Sequence, residues 1–475
     1  MNIEQFVHIT FQLLQTITLL KYQNKTLDLR THREGSMNLF LKLCRAVLET
    51  QVFRSLKSRF DDGDAESPLD FIYVQNTRFL LSFVGSWPHK QFGRPRLGLI
   101  LSVYNLLLIV VAVSLPSLGG AYIWYKRETI SFFEMGLVLL CMFLEFLFLQ
   151  RLFTARTDKY QQIIKSYLLE FHLFYFKNRS PYATKIYKQM QIVSRIFTII
   201  VPCIILSGVT LFNFTPWYAN YRSGMFGPDR PPNTTFQHAV YFHCFTEDVY
   251  TTLNAYWILF IFNIPISIHT TCGLLAFDLL LCLIVLQIMG HLKIMKHSLS
   301  NITRKADMYS AEENMRVRES LKDIVVHHNI IIKFVNKCSD TYSEYLFAFY
   351  SLMQILSIIS LLEVAAFTPE ALAKYGPLTY ALHQQLILVS ILFEMISSRS
   401  TELIDAIYDI PWECMDTRNR RTAMVLLMRA QTPVTLKAAK MVPVGVTTMS
   451  AVLKTSASYY MALNAVAKER QMDQR

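Results

Sequence analysis

The sequence predicts an all-α integral membrane protein with seven transmembrane helices, a cytoplasmic N-terminus, an extracellular C-terminus and a helical anchor bundle on the cytoplasmic side. Three observations carry this. The 475 residues are 52% hydrophobic and 13% aromatic with only 17% charged, against about a quarter charged in an average soluble domain. Seven stretches are long and apolar enough to cross a bilayer core, which takes about 20 residues as a helix. The excess of Lys and Arg over Asp and Glu, 47 against 35, falls in alternate connectors rather than evenly along the chain.

The apolar stretches run over residues 97–122, 132–154, 192–213, 252–289, 343–367, 376–398 and 441–464. Residues 1–69 contain no convincing span, because the apolar run Phe6 to Leu20 is short and broken by His8, Gln12 and Gln15; they read as an amphipathic or disordered extension. Met1-Asn2-Ile3-Glu4-Gln5 lacks the basic start of a secretory signal, so entry into the membrane is expected to use an internal span. The fourth stretch is almost twice the necessary length and contains Pro265, which could kink one helix or turn between two.

Charge decides between those two. With one helix there, three basic connectors share the side of the N-terminus: one from Arg151 to Arg195, one from Lys293 to Lys337, and one from Arg399 to Lys440. The opposite connectors hold only Lys126, Arg127, Arg222, Arg230 and Lys374. Two helices would place the second and third basic blocks outside, against the positive-inside rule. One long helix is therefore expected. Of the glycosylation sequons, only Asn233 falls in an external connector, while Asn24, Asn178 and Asn301 face the cytoplasm and should stay bare.

Two cytoplasmic segments carry helical stripes. Leu321, Ile324, Val325, His328, Ile331, Ile332 and Val335 run straight into the fifth span, and Leu403, Ile404, Ile407 and Tyr408 precede Pro411, which should end their helix. These stripes need partners, either in a bundle under the membrane where subunits pack or in their own loops. The domain plan is thus an extension at 1–69, spans one to six at 70–398, anchor helices at 399–440, and the last span with a short external tail at 441–475.

No Gly-rich phosphate loop, nucleophile elbow or zinc spacing is present, so an enzyme is not expected, nor a cofactor or a nucleic-acid partner. His238, His243 and Cys244 lie close together in an external connector, but solvent-facing or packing roles outweigh a metal site, and none is expected. No disulfide within a loop is expected either; of the eight cysteines only Cys244 sits where oxidation is favoured. A G-protein-coupled receptor would have its N-terminus outside, an Asp-Arg-Tyr after the third span and an Asn-Pro-x-x-Tyr in the last, and the chain has none of these. A transporter should show internal repeats with broken helices, which are also missing.

Ionisable residues inside spans are functional candidates, because burying charge in hydrocarbon is costly. They are Glu145, Asp278, Glu363, Glu394 and Lys454. Glu363 and Glu394 lie near span ends and could instead reach water or headgroups, and Asp278 sits toward the cytoplasmic part of the fourth helix. In the last span Thr447, Ser450, Lys454, Ser458 and Ala462 recur at three- or four-residue steps along one face. Such a face either packs closely against a neighbouring helix or lines a water-filled conduction path.

Residues 411–463 resemble the C-terminal signature of the insect odorant receptor family: Tyr408-x-x-x-Trp412, a basic helix ending in Met428-Arg429-Ala430-Gln431-x-Pro433, and a last span closing on Ser458-Tyr459-Tyr460. "FLLSFVGSWP" at 79–88 and "LQIMGHLKIM" at 286–295 extend the resemblance, which covers roughly residues 70–465. Ser458-Tyr459 without a following Gln-Phe favours the odorant over the gustatory branch. Within the family the chain is similar to a ligand-tuned receptor of moth or butterfly type rather than the shared co-receptor, whose second cytoplasmic loop is longer.

The resemblance implies an odorant-gated, nonselective cation channel. It would be a heterotetramer with the co-receptor, in the plasma membrane of olfactory sensory neurons; a gustatory-type channel or a metabotropic chemoreceptor is the alternative. It implies a pore lined by the last span, here Thr447, Ser450, Lys454, Ser458, Ala462 and Leu463, with Ala462 at the position where the family's pore closes on an apolar side chain. It also implies a site for a small volatile ligand in the outer halves of the second, third, fourth and sixth spans. The residues this selects are Phe133, Met135, Ser207, Leu211, Tyr256, Trp257, Phe260, Tyr380, His383 and Gln384.

Overall fold

In a computed structural model of the chain, residues 66–93, 98–227, 230, 234–242, 250–364 and 369–473 are described. The expectations for residues 1–65, Asn233, His243 and Cys244 lie outside them. Ten labelled helices and one small hairpin make up the fold: α1 Ile72–Phe83, α2 Gly98–Tyr125, α3 Phe132–Arg156, α4 Asp158–Ser166, α5 Pro181–Arg222, α6 Leu253–Ser300, α7 Ala311–Val364, α8 Pro369–Tyr408, α9 Thr417–Ala430, β1 Lys437–Ala438, β2 Val442–Pro443 and α10 Val446–Asp473.

Among the described residues α2, α3, α5, α6, α7 and α8 are long and apolar enough to cross a membrane. With α10, whose 28 residues also exceed the length of a span, they form a seven-helix, all-α integral membrane protein. The fourth stretch is one continuous helix, α6, that carries Pro265 without a break. Its 48 residues rise roughly 70 Å, more than twice the hydrocarbon thickness of about 30 Å. α7, with 54 residues, is longer still. Both helices must therefore leave the bilayer, and they do so on the side of the basic connectors.

There the three basic connectors meet. Asp416 N–H donates to Asn314 Oδ1 at 2.8 Å and Asn419 Nδ2 donates to Asn314 O at 2.8 Å, which fixes the start of α9 against the start of α7. Arg318 pairs with Asp416 at 2.9 Å, Lys296 with Glu402 at 2.9 Å, and Lys337 Nζ donates to Ser166 Oγ at 2.7 Å. Gln287 Oε1 accepts the backbone N–H of Leu173 at 3.0 Å. Tyr73 on α1 and His172 share a hydrogen bond of 2.7 Å, and burial pushes the His172 imidazole down to about 3, so it stays neutral. α8 continues through the predicted boundary at residue 399 and ends at Tyr408, three residues before Pro411.

The start of the last helix is a correction. It begins at Val446, not at 441, because β1 and β2 pair as an antiparallel hairpin just before it, with Ala439 and Lys440 at positive φ in the turn. Arg151 is a second correction: counted as a connector charge, it belongs to α3 and is only 2% exposed. At the other end of the bundle Tyr122, Tyr241, Tyr250 and Tyr375 pack together. This ring layer closes the side where the connectors are poor in charge.

Candidate functional site

A cavity of about 130 Å³ lies within the bundle. α3 contributes Val138, Met142 and Glu145 to its wall, α5 contributes Gly208 and Phe212, α6 contributes Asn263 and Thr270, and α8 contributes Leu382 and Gln385. Leu115 and Gly119 of α2 close one side. Val240, Tyr241 and Phe242 from the segment after α5 form the roof. That segment is held by Asn220, whose Nδ2 donates to Gln237 O at 2.8 Å, and by the Tyr250 hydroxyl, which accepts from Phe242 N–H at 2.8 Å. The four elements expected to hold a ligand thus do surround a cavity.

The individual residues expected there do not line it. Met135, Phe260 and Tyr256 share a face with the wall residues Val138 and Asn263 but sit one or two turns further out; Tyr256 stacks on both Phe236 and Phe260 in a separate aromatic cluster that includes Phe226. Ser207, Leu211, Trp257 and Tyr380 are exposed on the outside of their helices, and the Ser207 hydroxyl donates to its own helix at Ile204 O. His383 caps a turn inside α8 by bonding Thr379 O at 2.8 Å. Gln384 faces a smaller cavity of about 20 Å³ beneath the first, beside Asp278. For Phe133 only the helix, not the side chain, is described. For the four exposed residues the physical reason is angular: successive residues of a helix differ by about 100°, so a depth estimate without a rotational phase does not select the inward face. Met135, Tyr256 and Phe260 have the right phase and miss by depth.

Polar groups line the cavity sparsely. Glu145 Oε1 accepts from the Thr270 hydroxyl at 2.7 Å. Gln385 Nε2 donates to Asp278 Oδ2, and from there a buried network continues: Arg151 Nη2 lies 3.0 and 2.9 Å from the two Asp278 oxygens, and the Tyr345 hydroxyl donates to Oδ1 at 2.5 Å. Arg151 and Asp278 are the residues that sequence reasoning left unpaired; the only signal was one charge of each sign inside two spans, with nothing to indicate that they meet. Glu363 is fully buried on α7 against Gly136 of α3, where any Cβ would fall on its carboxylate, and it bonds the Tyr375 hydroxyl.

The last helix presents two faces. Its apolar side packs on α7 and α8, with Val452 buried and Ser456 fully enclosed, the latter accepting from Gln354 Nε2 at 2.9 Å. Thr447, Lys454, Ser458 and Ala462 point away from the rest of the chain, Ser450 is half-buried, and the Leu463 side chain is not described. Glu394, near the end of its span, is now explained: its carboxylate accepts the backbone N–H of Val446 at 3.4 Å, at the positive end of the α10 dipole. A Cβ at Gly445 would stand 2.7 Å from that carboxylate, so a side chain there would push the carboxylate aside.

No group of three or more metal-ligating side chains occurs among the described residues. His238, the described member of the suspected trio, is 2% exposed among Tyr241, Tyr250 and Tyr256, and burial lowers its imidazole to about 4. It packs rather than faces solvent. The described cysteines are free thiols.

A sequence profile described as 7tm Odorant receptor matches residues 135–457. The chain belongs to the 7tm odorant receptor family. Among relatives of this receptor, Odorant receptor 67a of Drosophila melanogaster is 27% identical over 216 residues, 41% of this chain and 48% of the relative. Odorant receptor 22c of the same species is 28% identical over 167 residues, 33% of this chain and 39% of the relative. The alignments therefore span about half the length of these relatives or less. In fold the receptor is similar to the insect olfactory receptor OR5 from Machilis hrabei, with a TM-score of 0.67 over 82% of this chain and 97% of that one at 13% identity. The same receptor solved in complex with eugenol gives 0.65 over 83% and 98% at 14% identity. The receptor is thus a member of a family of membrane receptors, not an enzyme.

Proposed function

We propose that the receptor is a subunit of an odorant-gated, nonselective cation channel, assembled with the odorant receptor co-receptor in the plasma membrane of olfactory sensory neurons. One observation carries this reading: α10 turns Thr447, Lys454 and Ser458 outward, whereas the outward face of α2 is Leu99, Ile100, Val103, Leu106, Leu107 and Val110. Lipid solvates the second kind of surface and not the first. A polar outer face at membrane depth therefore calls for water or other subunits, and a central pore supplies both. Ala462 and Leu463 stand at the inner surface of that pore in this reading, and a small residue at 462 leaves the seal to the partner subunits or to Leu463.

Assembly is supported by α9, whose Met424, Val425 and Met428 are exposed on the cytoplasmic side, an apolar face of the kind that neighbouring subunits cover. Only residues 301–310 connect α6 to α7, in keeping with a ligand-tuned subunit rather than the co-receptor; the moth or butterfly type is carried by the sequence resemblance alone. The cavity among α3, α5, α6 and α8 takes the odorant, as its apolar wall with few polar groups suits a small volatile. The OR5–eugenol complex supports the same type of ligand here. Asn233 is an extracellular glycosylation acceptor.

The test is expression with the co-receptor in cells whose G-protein signalling is blocked, with whole-cell recording against a broad odour panel. Currents are expected within milliseconds of odour arrival and should survive the block. Loss of every response under the block would favour a metabotropic receptor instead. Ser458→Trp, which puts a large ring on the outward face of α10, is expected to reduce conductance severalfold or change rectification while leaving surface expression intact. Unchanged permeation would remove α10 from the pore.

A further inference from the structure

Glu145 points one oxygen into the cavity with nothing to bond it. Its Oε1 is occupied by the Thr270 hydroxyl at 2.7 Å, but Oε2 is buried and has no partner among the described residues. Asn263 Oδ1, which also lines the cavity and stands two turns along α6 from Thr270, is in the same condition. The residues are 6% and 3% exposed, so bulk water does not satisfy them. Each unmet buried acceptor is unfavourable, and three of the donors in or beside the cavity are committed elsewhere. Gln385 Nε2 is committed to Asp278, Ser267 Oγ donates to Asn213 Oδ1 at 3.3 Å, and Arg151 is held by Asp278 and Tyr345. The orphaned atoms face a space, and what fills the space must supply the proton.

We infer that the cavity selects small amphiphiles whose polar head donates a hydrogen bond to Glu145: a hydroxyl or an amine on an apolar body of about one ring. This inference rests on the cavity being the odorant site. Size sets the body. A cavity of about 130 Å³ is close to the engineered apolar cavity of about 150 Å³ that takes up benzene, so one ring with a short substituent fills it. Chemistry sets the head. With Glu145 ionised, a ligand that can only accept, such as an ether, leaves Oε2 unpaired and places a second acceptor beside it, the situation in which polar sites reject analogues most strongly. A neutral Glu145 would instead donate to the ether, and preference for the ether is the result that exposes it. Alcohols and amines share this head chemistry but differ in charge, and Glu145 distinguishes them: a carboxylate pairs with an ammonium, whereas an amide in its place still accepts from a hydroxyl.

The experiment uses four probes on one skeleton: 2-phenylethanol, 2-phenylethylamine, the methyl ether of 2-phenylethanol, and ethylbenzene. Binding is read as the ligand-induced shift in melting temperature of the purified receptor–co-receptor complex, and gating as current in cells expressing both. The alcohol or the amine is expected to stabilise the complex at concentrations at least about tenfold lower than the ether and ethylbenzene, the lower range of discrimination against a missing donor. Glu145→Leu should erase that difference. Glu145→Gln, which keeps size and polarity and so guards against a folding defect, should keep the alcohol's advantage and lose the amine's if the ammonium is the preferred head. Equal potency of all four probes on the wild type, preference for the ether or hydrocarbon, or no stabilisation by any of them would overturn the inference. Stabilisation by the donor-bearing probes without any current would leave it standing and count instead against the channel reading.

Discussion

Asp278→Ala is expected to destabilise the receptor by about 3–5 kcal/mol, the cost of removing one partner from a buried ion pair. The arrangement leaves little room for compensation. The Arg151 and Asp278 side chains are 2% and 8% exposed, so neither charge can be rehydrated in place. Arg151 Nε and Nη1 already have no partner among the described residues. Its Nη2 depends on the two Asp278 oxygens, at 3.0 and 2.9 Å, and on the Tyr345 hydroxyl at 3.1 Å. Without the carboxylate the guanidinium remains buried with Tyr345 as its one hydrogen-bond acceptor. A fluorescence-detected melting curve in detergent should show the loss as a fall in melting temperature and in folded yield. The control is apolar replacement of both partners, Arg151→Met with Asp278→Leu, which should recover most of the stability, since a well-packed apolar pair is often as stable as a buried ion pair. If the double variant melts as low as Asp278→Ala, the effect comes from packing and not from stranded charge.

The network also has a functional position. Gln385 lines the cavity and bonds Asp278, Asp278 bonds Tyr345 on α7, and two residues before Tyr345 the Ser343 carbonyl and hydroxyl accept the backbone N–H groups of Ala439 and Lys440 at 3.1 and 2.6 Å. Those two residues form the turn at the foot of α10. The polar contacts beneath the cavity thus reach α7 two residues from the serine that holds the turn before α10.

Gly273→Leu is the second large effect. A Cβ at Gly273 on α6 would collide with the Phe148 ring of α3. Phe148 is completely buried and packs edge-on to His269 at 5.2 Å between centroids, with Leu152 and Ala112 behind it. The ring cannot retreat, so the leucine must separate α3 from α6 at the level of Thr270 and Glu145. Overpacking of this kind costs about 1–3 kcal/mol and sometimes more. The expected readout is a lowered melting temperature together with loss of odorant response in the fraction that folds. Gly208→Ala provides the contrast. A Cβ there meets nothing within 4 Å, yet Gly208 lines the cavity. Alanine should leave stability unchanged or slightly raised, by up to about 1 kcal/mol from helix propensity, while changing which ligands fit. Equal destabilisation by both substitutions would mean that a side chain at either glycine is costly whatever it meets, and that the close approach at Gly273 does not set the outcome.

What the sequence disclosed and what it withheld follow different physics. Hydropathy is a one-dimensional signal, and it located six spans; the unbroken run of α6 through Pro265 was read from the parity of the charged connectors. Connector charge oriented them, even though Arg151 was counted on the wrong side of the membrane boundary. The outward stripe of α10 was legible because its polar and small residues alternate with an apolar face over four turns. The cavity was not legible, because α6 is apolar all round, with 94% of its most apolar stretch buried, and such a helix carries no phase. Tyr256, Trp257 and Phe260 stood out as aromatic, but their rings serve the outer cluster. Glu145 was marked as an intramembrane charge, yet its role depends on Thr270, which reaches it from 125 positions away. The hairpin before α10 was hidden for a similar reason: two residues per strand leave no periodicity, and it is held by Ser339 and Ser343 of α7.

The most direct measurement is thiol accessibility along α10 during odour stimulation. Single cysteines at Thr447→Cys, Lys454→Cys and Ser458→Cys, in receptors co-expressed with the co-receptor, are expected to let a charged thiol reagent applied with the odorant alter the current irreversibly. Val452→Cys and Ser456→Cys, on the buried face against α7 and α8, should be unaffected. Modification confined to positions 452 and 456, or currents indifferent to the reagent at all five positions, would contradict the assignment of the outward face of α10 to the ion path.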